Sequence, residues 1–268
     1  MIDPNWWLLP REAYKRREEI KSAWDRLITL FQGRRSRIAF TGTAGTGKTV
    51  LFDHLALRAS LGYHPPQRSE KKESGKLVKA GQRIAVSVVP GQHSAPRHEA
   101  VDDLFGGKHS VDGVVHVTCF GYVDLRERVA KDTIISQGLT SIPLYREQMM
   151  KDELTDLEHT CEDIRRSIRR NGRPKWMIVA VTKADLFSNN LEEAEQYYSP
   201  HGKGPFVDRL NLLQRQVGTD RFRWTALPVC SWLEDFIWNG ETQKTNISVA
   251  QRDHLLATLV ETMGNYCE

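Results

Sequence analysis

What this chain has little of narrows the field first. Cysteine is scarce, with four in 268 residues, at Cys119, Cys161, Cys230 and Cys267. They lie far apart and form no C-x-x-C pair. That argues against a disulfide-framed scaffold or a zinc knuckle, and reduced packing thiols are expected. The nine histidines are equally scattered. His93 and His98 form the closest suggestive pair, but no cysteine or acidic motif accompanies them, so no metal site is expected there. Long apolar runs are missing too. Trp176-Met177-Ile178-Val179-Ala180-Val181 is among the longest, and a bilayer helix needs about 20 such residues. The start of the chain lacks the basic segment and apolar core of a secretory signal, so a cytoplasmic setting is expected. No internal repeat or long low-complexity tract interrupts the sequence. Charge of one sign is not in large excess. A net charge of +4 permits contact with anions without marking a nucleic-acid binder.

What is present reads as globular. Hydrophobic residues make up 40% and charged residues 27%. The length suits one large α/β domain or a smaller one with additions. Residues 1–34 read as a helical extension. Pro10 opens it, and Tyr14, Ile20, Trp24, Leu27, Ile28 and Phe31 share one face. Gly33 closes it. Packing on the body of the protein is the favoured reading. Docking of the Trp6-Trp7 end and the basic Arg34-Arg35-Ser36-Arg37 cluster to a partner or an anionic membrane is the alternative.

Residues 35–268 read as one domain. Strands are expected at 38–41, 76–79, 83–89, 114–119, 176–181 and 227–230. Helices are expected at 50–61, over an enlarged and interrupted region around 122–172, and at 247–263. Residues 63–75 read as a polar loop, and 188–205 as a loop or insertion. Strands alternating with helices predict a mostly parallel six-stranded sheet covered on both faces.

One motif carries clear chemistry. Gly42-Thr43-Ala44-Gly45-Thr46-Gly47-Lys48-Thr49 fits G-x-x-x-x-G-K-[ST] between a strand and a helix. Glycines let the backbone curl so that its N–H groups converge on phosphate oxygens. The helix start adds its positive end. Lys48 can reach the β- and γ-phosphates, and the Thr49 hydroxyl can ligate magnesium. A second motif, Thr182-Lys183-Ala184-Asp185, directly follows a buried strand. A carboxylate there can accept from both N1–H and the 2-amino group of guanine, a donor pair that adenine lacks. Lys183 would lie along the base, and Thr182 would fix the loop.

Together these motifs resemble the Ras-like small GTPases of the P-loop class, over about 38–268 and with inserted material. The resemblance implies a P-loop GTPase fold, binding of GTP and GDP with Mg2+, and a molecular switch acting on a protein partner. Val88-Val89-Pro90-Gly91-Gln92 stands where that family has D-x-x-G followed by Gln. Gly91 would then offer its N–H to the γ-phosphate, and Gln92 would orient the attacking water, with Lys48 stabilising the transferring charge. Val88 departs from the pattern, because valine cannot hold the magnesium shell. Asp102 or Asp103 would have to compensate, or Thr49, phosphates and water would hold the metal alone. The family's first switch loop supplies a threonine ligand. Residues 63–75 contain none, which leaves Ser69 first and Ser74 second, and Arg68 is a candidate arginine in cis. Val229-Cys230-Ser231-Trp232 resembles the segment that backs the guanine, with an N–H of Cys230 or Ser231 facing the guanine oxygen.

These readings imply a slow GTPase that regulates a protein effector through the N-terminal helix and loops 63–75 and 91–110. No nucleic-acid partner is expected. The basic run Arg165-Arg166-Ser167-Ile168-Arg169-Arg170 reads as solvated cations near a helix end, with an acidic partner as the alternative. Two rivals stay open. Val88 motivates a GTP-binding scaffold that does not turn over. If the Thr182–Asp185 match is coincidental, an ATPase or kinase follows.

Overall fold

The computed structural model describes residues 37–55, 73–79, 82–89, 102–106, 110–125 and 127–267. The N-terminal extension, Arg68, Ser69, Gly91 and Gln92 lie outside the described residues.

Among the described residues the main sheet has six strands: β1 (Arg37–Thr41), β2 (Glu73–Lys79), β3 (Gln82–Val88), β4 (Gly113–Thr118), β5 (Trp176–Val181) and β6 (Arg223–Pro228). Their spatial order is β2-β3-β1-β4-β5-β6. All pairings are parallel except the edge pair β2–β3, which is antiparallel. This is the α/β class expected from the alternating pattern. Every residue of β4 and β5 is buried. Burial on both faces is why β5 reads as a continuous apolar run rather than as alternation.

The side chains still alternate by face. Phe40, Val115, Val117, Ile178, Ala180 and Leu227 pack on one side. There they meet Leu51 and Phe52 of α1 (Lys48–Leu55) and Leu259, Val260 and Met263 of α6 (Val249–Cys267). Ala39, Val114, Met177, Val179 and Ala226 face the other way. The cover on that side comes from α3 (Ile142–Asn171), α4 (Leu191–Tyr198) and α5 (Pro205–Val217), which bury Leu157, Ile164, Ala194, Phe206 and Leu210. The core is thus two layers on one sheet, with the strand ends left to carry loops.

Several boundaries differ from the expectation. β2 begins at Glu73, so the polar stretch 63–75 ends in strand, and Ser74 sits opposite Ser87 in the ladder. The last sheet strand runs from Arg223 to Pro228 rather than 227–230. Trp224 and Phe222 bury against the core there, which outweighs the exposed Arg223. Within 188–205, Leu191–Tyr198 is helical. The Pro and Gly residues that suggest a loop flank this helix, and Ala194 and Tyr198 bury at helical spacing. The enlarged region splits into α2 (Arg128–Ser136) and α3, separated at Gln137-Gly138, where Gly138 has φ +94°. A short hairpin, β7 (Phe236–Trp238) and β8 (Glu241–Gln243), adds to the expected elements. Its Asn239-Gly240 turn has φ +45° and +86°, the left-handed pair that such turns require. Trp238 stacks on Tyr145 of α3 at 3.8 Å between centroids and donates its indole N–H to the Leu139 carbonyl at 2.7 Å. The hairpin is thereby fastened beside the start of α3.

Candidate functional site

The phosphate-type loop joins the carboxyl end of β1 to the first turn of α1. Gly42, Gly45 and Gly47 all have left-handed φ, and at the first two a side chain would also clash. Gly42 has φ +125°, and a Cβ there would lie 2.1 Å from the Val117 carbonyl oxygen. Gly45 has φ +82°, and its Cβ would lie 2.5 Å from the Asp124 carbonyl oxygen. The loop is wedged between β4 and the segment that follows it, so no side chain fits. The Lys48 ammonium folds back into the loop and donates to the carbonyls of Gly42 at 2.7 Å and Thr43 at 2.5 Å. The Thr46 hydroxyl donates to the Thr43 carbonyl at 2.9 Å, closing the turn. The Thr43 hydroxyl oxygen is buried with no hydrogen bond among the described residues. Thr49 is half-buried in the first turn of α1, and Ala44 is exposed at the loop's outer edge.

The second motif leaves the carboxyl end of β5 and meets the first directly. The Thr182 hydroxyl oxygen lies 2.6 Å from the Thr46 carbonyl and 2.8 Å from the Thr118 carbonyl. Lys183 adopts φ +58° and donates its ammonium to the Tyr122 carbonyl at 2.6 Å. The Asp124 N–H in turn donates to the Gly45 carbonyl at 3.2 Å. The loops after β1, β4 and β5 therefore form one hydrogen-bonded unit at the strands' carboxyl ends, where a parallel sheet opens its crevice.

Asp185 is 1% exposed. Its Oδ1 accepts from the Cys230 thiol at 3.3 Å. Its Oδ2 is buried with no hydrogen bond of proper geometry among the described residues. Burial pushes the pKa of Asp185 up, and the Cys230 thiol, the Thr245 hydroxyl and the main-chain N–H groups of Asp185 and Glu234 work against that shift. An ionised carboxylate in this setting is costly until donors arrive. The loop after β6 is held in place by the main chain: the Ala184 N–H donates to the Val229 carbonyl at 3.1 Å, and the Val229 N–H to Val181 at 2.8 Å. Cys230 and Ser231 are both buried. Trp232 follows, with its ring edge-on to His54 of α1 at 6.4 Å between centroids.

The structure thus brings together Gly42 to Thr49, Thr182, Lys183, Asp185, Cys230 and Ser231. Val88 is 2% exposed and packs with Phe40, Leu51 and Phe52. The position where the resembling family keeps an aspartate is here part of the core. Asp102 and Asp103 are exposed on the one-turn helix Asp102–Gly106. Among the described residues, no group of three or more His, Cys, Asp and Glu side chains could hold a metal ion. A divalent cation here would rest on Thr49 and on oxygens brought by the ligand. The basic run at the end of α3 is partly occupied, because Arg165 and Arg166 both pair with Glu162, at 2.5 and 3.2 Å.

Sequence reasoning passes over the segment after β4. Tyr122 and Asp124 contribute main-chain groups, which any residue type supplies, so no side-chain motif announces them.

No known family profile matches the chain, and no curated protein does. Solved structures that align with the chain include three from other organisms. The small COPII coat GTPase Sar1 from Encephalitozoon cuniculi, in complex with GDP, is 15% identical with a TM-score of 0.41, covering 94% of this chain and 87% of its own. A dimerization-deficient mutant of Toc33 from Arabidopsis thaliana is 12% identical with a TM-score of 0.44, covering 94% and 96%. The cytosolic domain of the T. maritima iron transporter FeoB, in apo form, is 15% identical with a TM-score of 0.45, covering 88% and 65%. These values describe shape alone.

Proposed function

We propose that this chain binds GDP and GTP, hydrolyses GTP slowly, and uses the bound state to regulate a protein partner. The observation that carries the reading is the contact between the Thr182 hydroxyl and the Thr46 carbonyl at 2.6 Å. It ties the loop that carries the buried Asp185 carboxylate, whose Oδ2 lacks a hydrogen bond, to a loop lined by main-chain groups and the Lys48 ammonium. One extended ligand, anionic at one end and rich in donors at the other, satisfies both.

The residues divide the work. The curled Gly42–Thr49 main chain presents N–H groups to phosphate oxygens, and Lys48 exchanges carbonyl contacts for phosphate ones. Asp185 Oδ2 accepts from the guanine edge while the Cys230 thiol holds Oδ1. Lys183 keeps its Tyr122 contact and lies along the base, and an N–H of Cys230 or Ser231 faces the guanine oxygen. Thr49 would hold magnesium, which when bound neutralises phosphate charge. Gln92 would orient water, and Gly91 would contact the terminal phosphate. Segments 63–75 and 91–110, with residues 1–34, would meet the partner in a cytoplasmic setting.

The test is a competition titration of GDP against ADP. A preference for GDP of about a hundredfold or more is expected from two donors left unpaired against Asp185. Equal affinity would defeat the guanine assignment and favour an ATPase or kinase. The buried Val88 favours a second reading at the same site, a scaffold that binds GTP without turnover. Single-turnover phosphate release separates the two. Release above the buffer rate supports hydrolysis, and release at the buffer rate, with partner present, leaves the scaffold.

A further inference from the structure

The long helix α3 carries a buried carboxylate that the chemistry above does not use. Glu153 is 1% exposed. Four donors converge on it. Oε1 accepts the Cys119 N–H at 3.0 Å, the Gly121 N–H at 3.2 Å and the Cys119 thiol at 3.3 Å. Oε2 accepts the Tyr198 hydroxyl at 2.6 Å. Burial pushes the Glu153 pKa up against these bonds, and it holds Tyr198 and Cys119 well above their ordinary values, so both remain protonated donors. A packed apolar side chain at this position would avoid the desolvation cost. It would also orphan two buried main-chain N–H groups in the turn that follows β4.

That turn is tightly held. Phe120 has φ +52° and Gly121 has φ +77°. Arg146, also on α3, donates its Nε–H to the Phe120 carbonyl at 3.1 Å and sets its guanidinium 4.3 Å from the Phe120 ring and 4.5 Å from the Tyr122 ring. A Cβ on Gly121 would lie 2.5 Å from the Arg146 carbonyl oxygen, so helix and turn meet backbone to backbone. The next residues are Tyr122, whose carbonyl receives Lys183, and Asp124, whose N–H reaches Gly45.

We propose that Glu153 is a positioning residue for the nucleotide site: it pins residues 119–121 to α3 and so sets the Tyr122 carbonyl for Lys183. The inference rests on the proposed nucleotide reading and adds to it the route by which the enlarged helix bears on that site. Glu153 touches no ligand. It acts through the turn.

The experiment follows release of a fluorescent GDP analogue, chased by unlabelled GDP, from the full-length protein. Glu153→Gln keeps the volume but replaces an acceptor oxygen with an NH2 group facing donors, and release should accelerate about tenfold, the equivalent of one charge-assisted bond. Tyr198→Phe removes one donor and should accelerate release about threefold. Both changes are then repeated in a Lys183→Ala background, where the route is already cut, and the acceleration should fall below about twofold. Equal acceleration in both backgrounds would mean that Glu153 only stabilises the fold, and would overturn the proposal. An unchanged rate in a folded Glu153→Gln protein would overturn it as well. If Glu153→Gln does not fold, Tyr198→Phe in the two backgrounds decides between the same outcomes. Failure of the wild type to bind any guanine nucleotide would sink the functional reading separately. The pinning is then read from amide hydrogen exchange over 119–124 in unliganded protein, which Glu153→Gln or Tyr198→Phe must speed by about tenfold or threefold respectively. Unchanged exchange overturns it.

Discussion

The two ends of the site are made of different material. The end at Gly42–Thr49 is mostly main chain: its contacts run through carbonyls and N–H groups, and its glycines are places where side chains are excluded. The end at Asp185 is mostly side chain: one carboxylate, one thiol and a neighbouring hydroxyl, nearly all buried. A main-chain cradle reads shape and charge, which every phosphate ester shares. A side-chain end reads one edge of one base. The first should therefore fail when geometry is disturbed, and the second when a single atom is changed.

Gly42→Ala is expected to have the largest effect. The new Cβ would meet the Val117 carbonyl oxygen at 2.1 Å, at a φ of +125° that L residues avoid. Backbone on both sides leaves nothing flexible to yield. Affinity for GDP and for ADP should fall together, by more than about a hundredfold, and unfolding free energy should drop by about 3 kcal/mol or more. Titration with fluorescent GDP and chemical denaturation measure the two. If GDP binding dropped while ADP binding held, the claim that this end ignores the base would be wrong.

Asp185→Asn is the intermediate case, and it should split binding from stability. Binding of GDP should weaken about thirtyfold or more and xanthosine diphosphate should gain, since an amide NH2 suits a carbonyl where guanine carries an amine. Stability should move the other way. Burial raises the folded pKa of Asp185 above its unfolded value. The unliganded wild type therefore carries a penalty that appears as pH rises through the unfolded carboxylate range and is complete above the folded pKa. Below the unfolded pKa the penalty is gone. At pH 7 the nucleotide-free Asn variant should be at least as stable as wild type, and the variant's advantage should vanish near pH 3. Denaturant midpoints at the two pH values test this. A variant less stable at both would mean that the carboxylate is well bonded without a ligand.

How much of this is legible in the sequence follows the same division. The phosphate loop can be read because its constraint is local: glycines, lysine and threonine at fixed spacing in eight consecutive residues. Asp185 can be read because it follows a six-residue apolar strand. The union of the two cannot. It depends on Thr182 reaching Thr46, 136 residues away, which only the sheet order supplies. Glu153 is equally silent. On a charged helix one more glutamate looks solvated, and its partners Cys119 and Tyr198 lie 34 and 45 residues off. The hairpin at 236–243 is legible in principle. Asn239-Gly240 is a strong turn signal, but three-residue strands give it no alternating pattern to stand on.

Cys230 offers the finest distinction. Its thiol donates to Asp185 Oδ1 at 3.3 Å, and burial holds its pKa well above the ordinary thiol value, so it stays a neutral donor. Cys230→Ser keeps a donor in the same place with a shorter reach, and Cys230→Val fills the space without one. Thiol hydrogen bonds are weak, so the Ser variant should bind GDP within about threefold of wild type, and the Val variant should lose about three- to tenfold. Both should leave ADP affinity unchanged, because neither touches the main-chain cradle. Parallel GDP and ADP titrations of the two variants measure that selectivity. A Val variant as damaged as Asp185→Asn would make orientation of the carboxylate, rather than its presence, the quantity that reads the base. A Val variant with wild-type affinity would mean that the Asp185 loop is held by the Ala184 and Val229 main-chain bonds alone, so that even the side-chain end of the site is set by backbone.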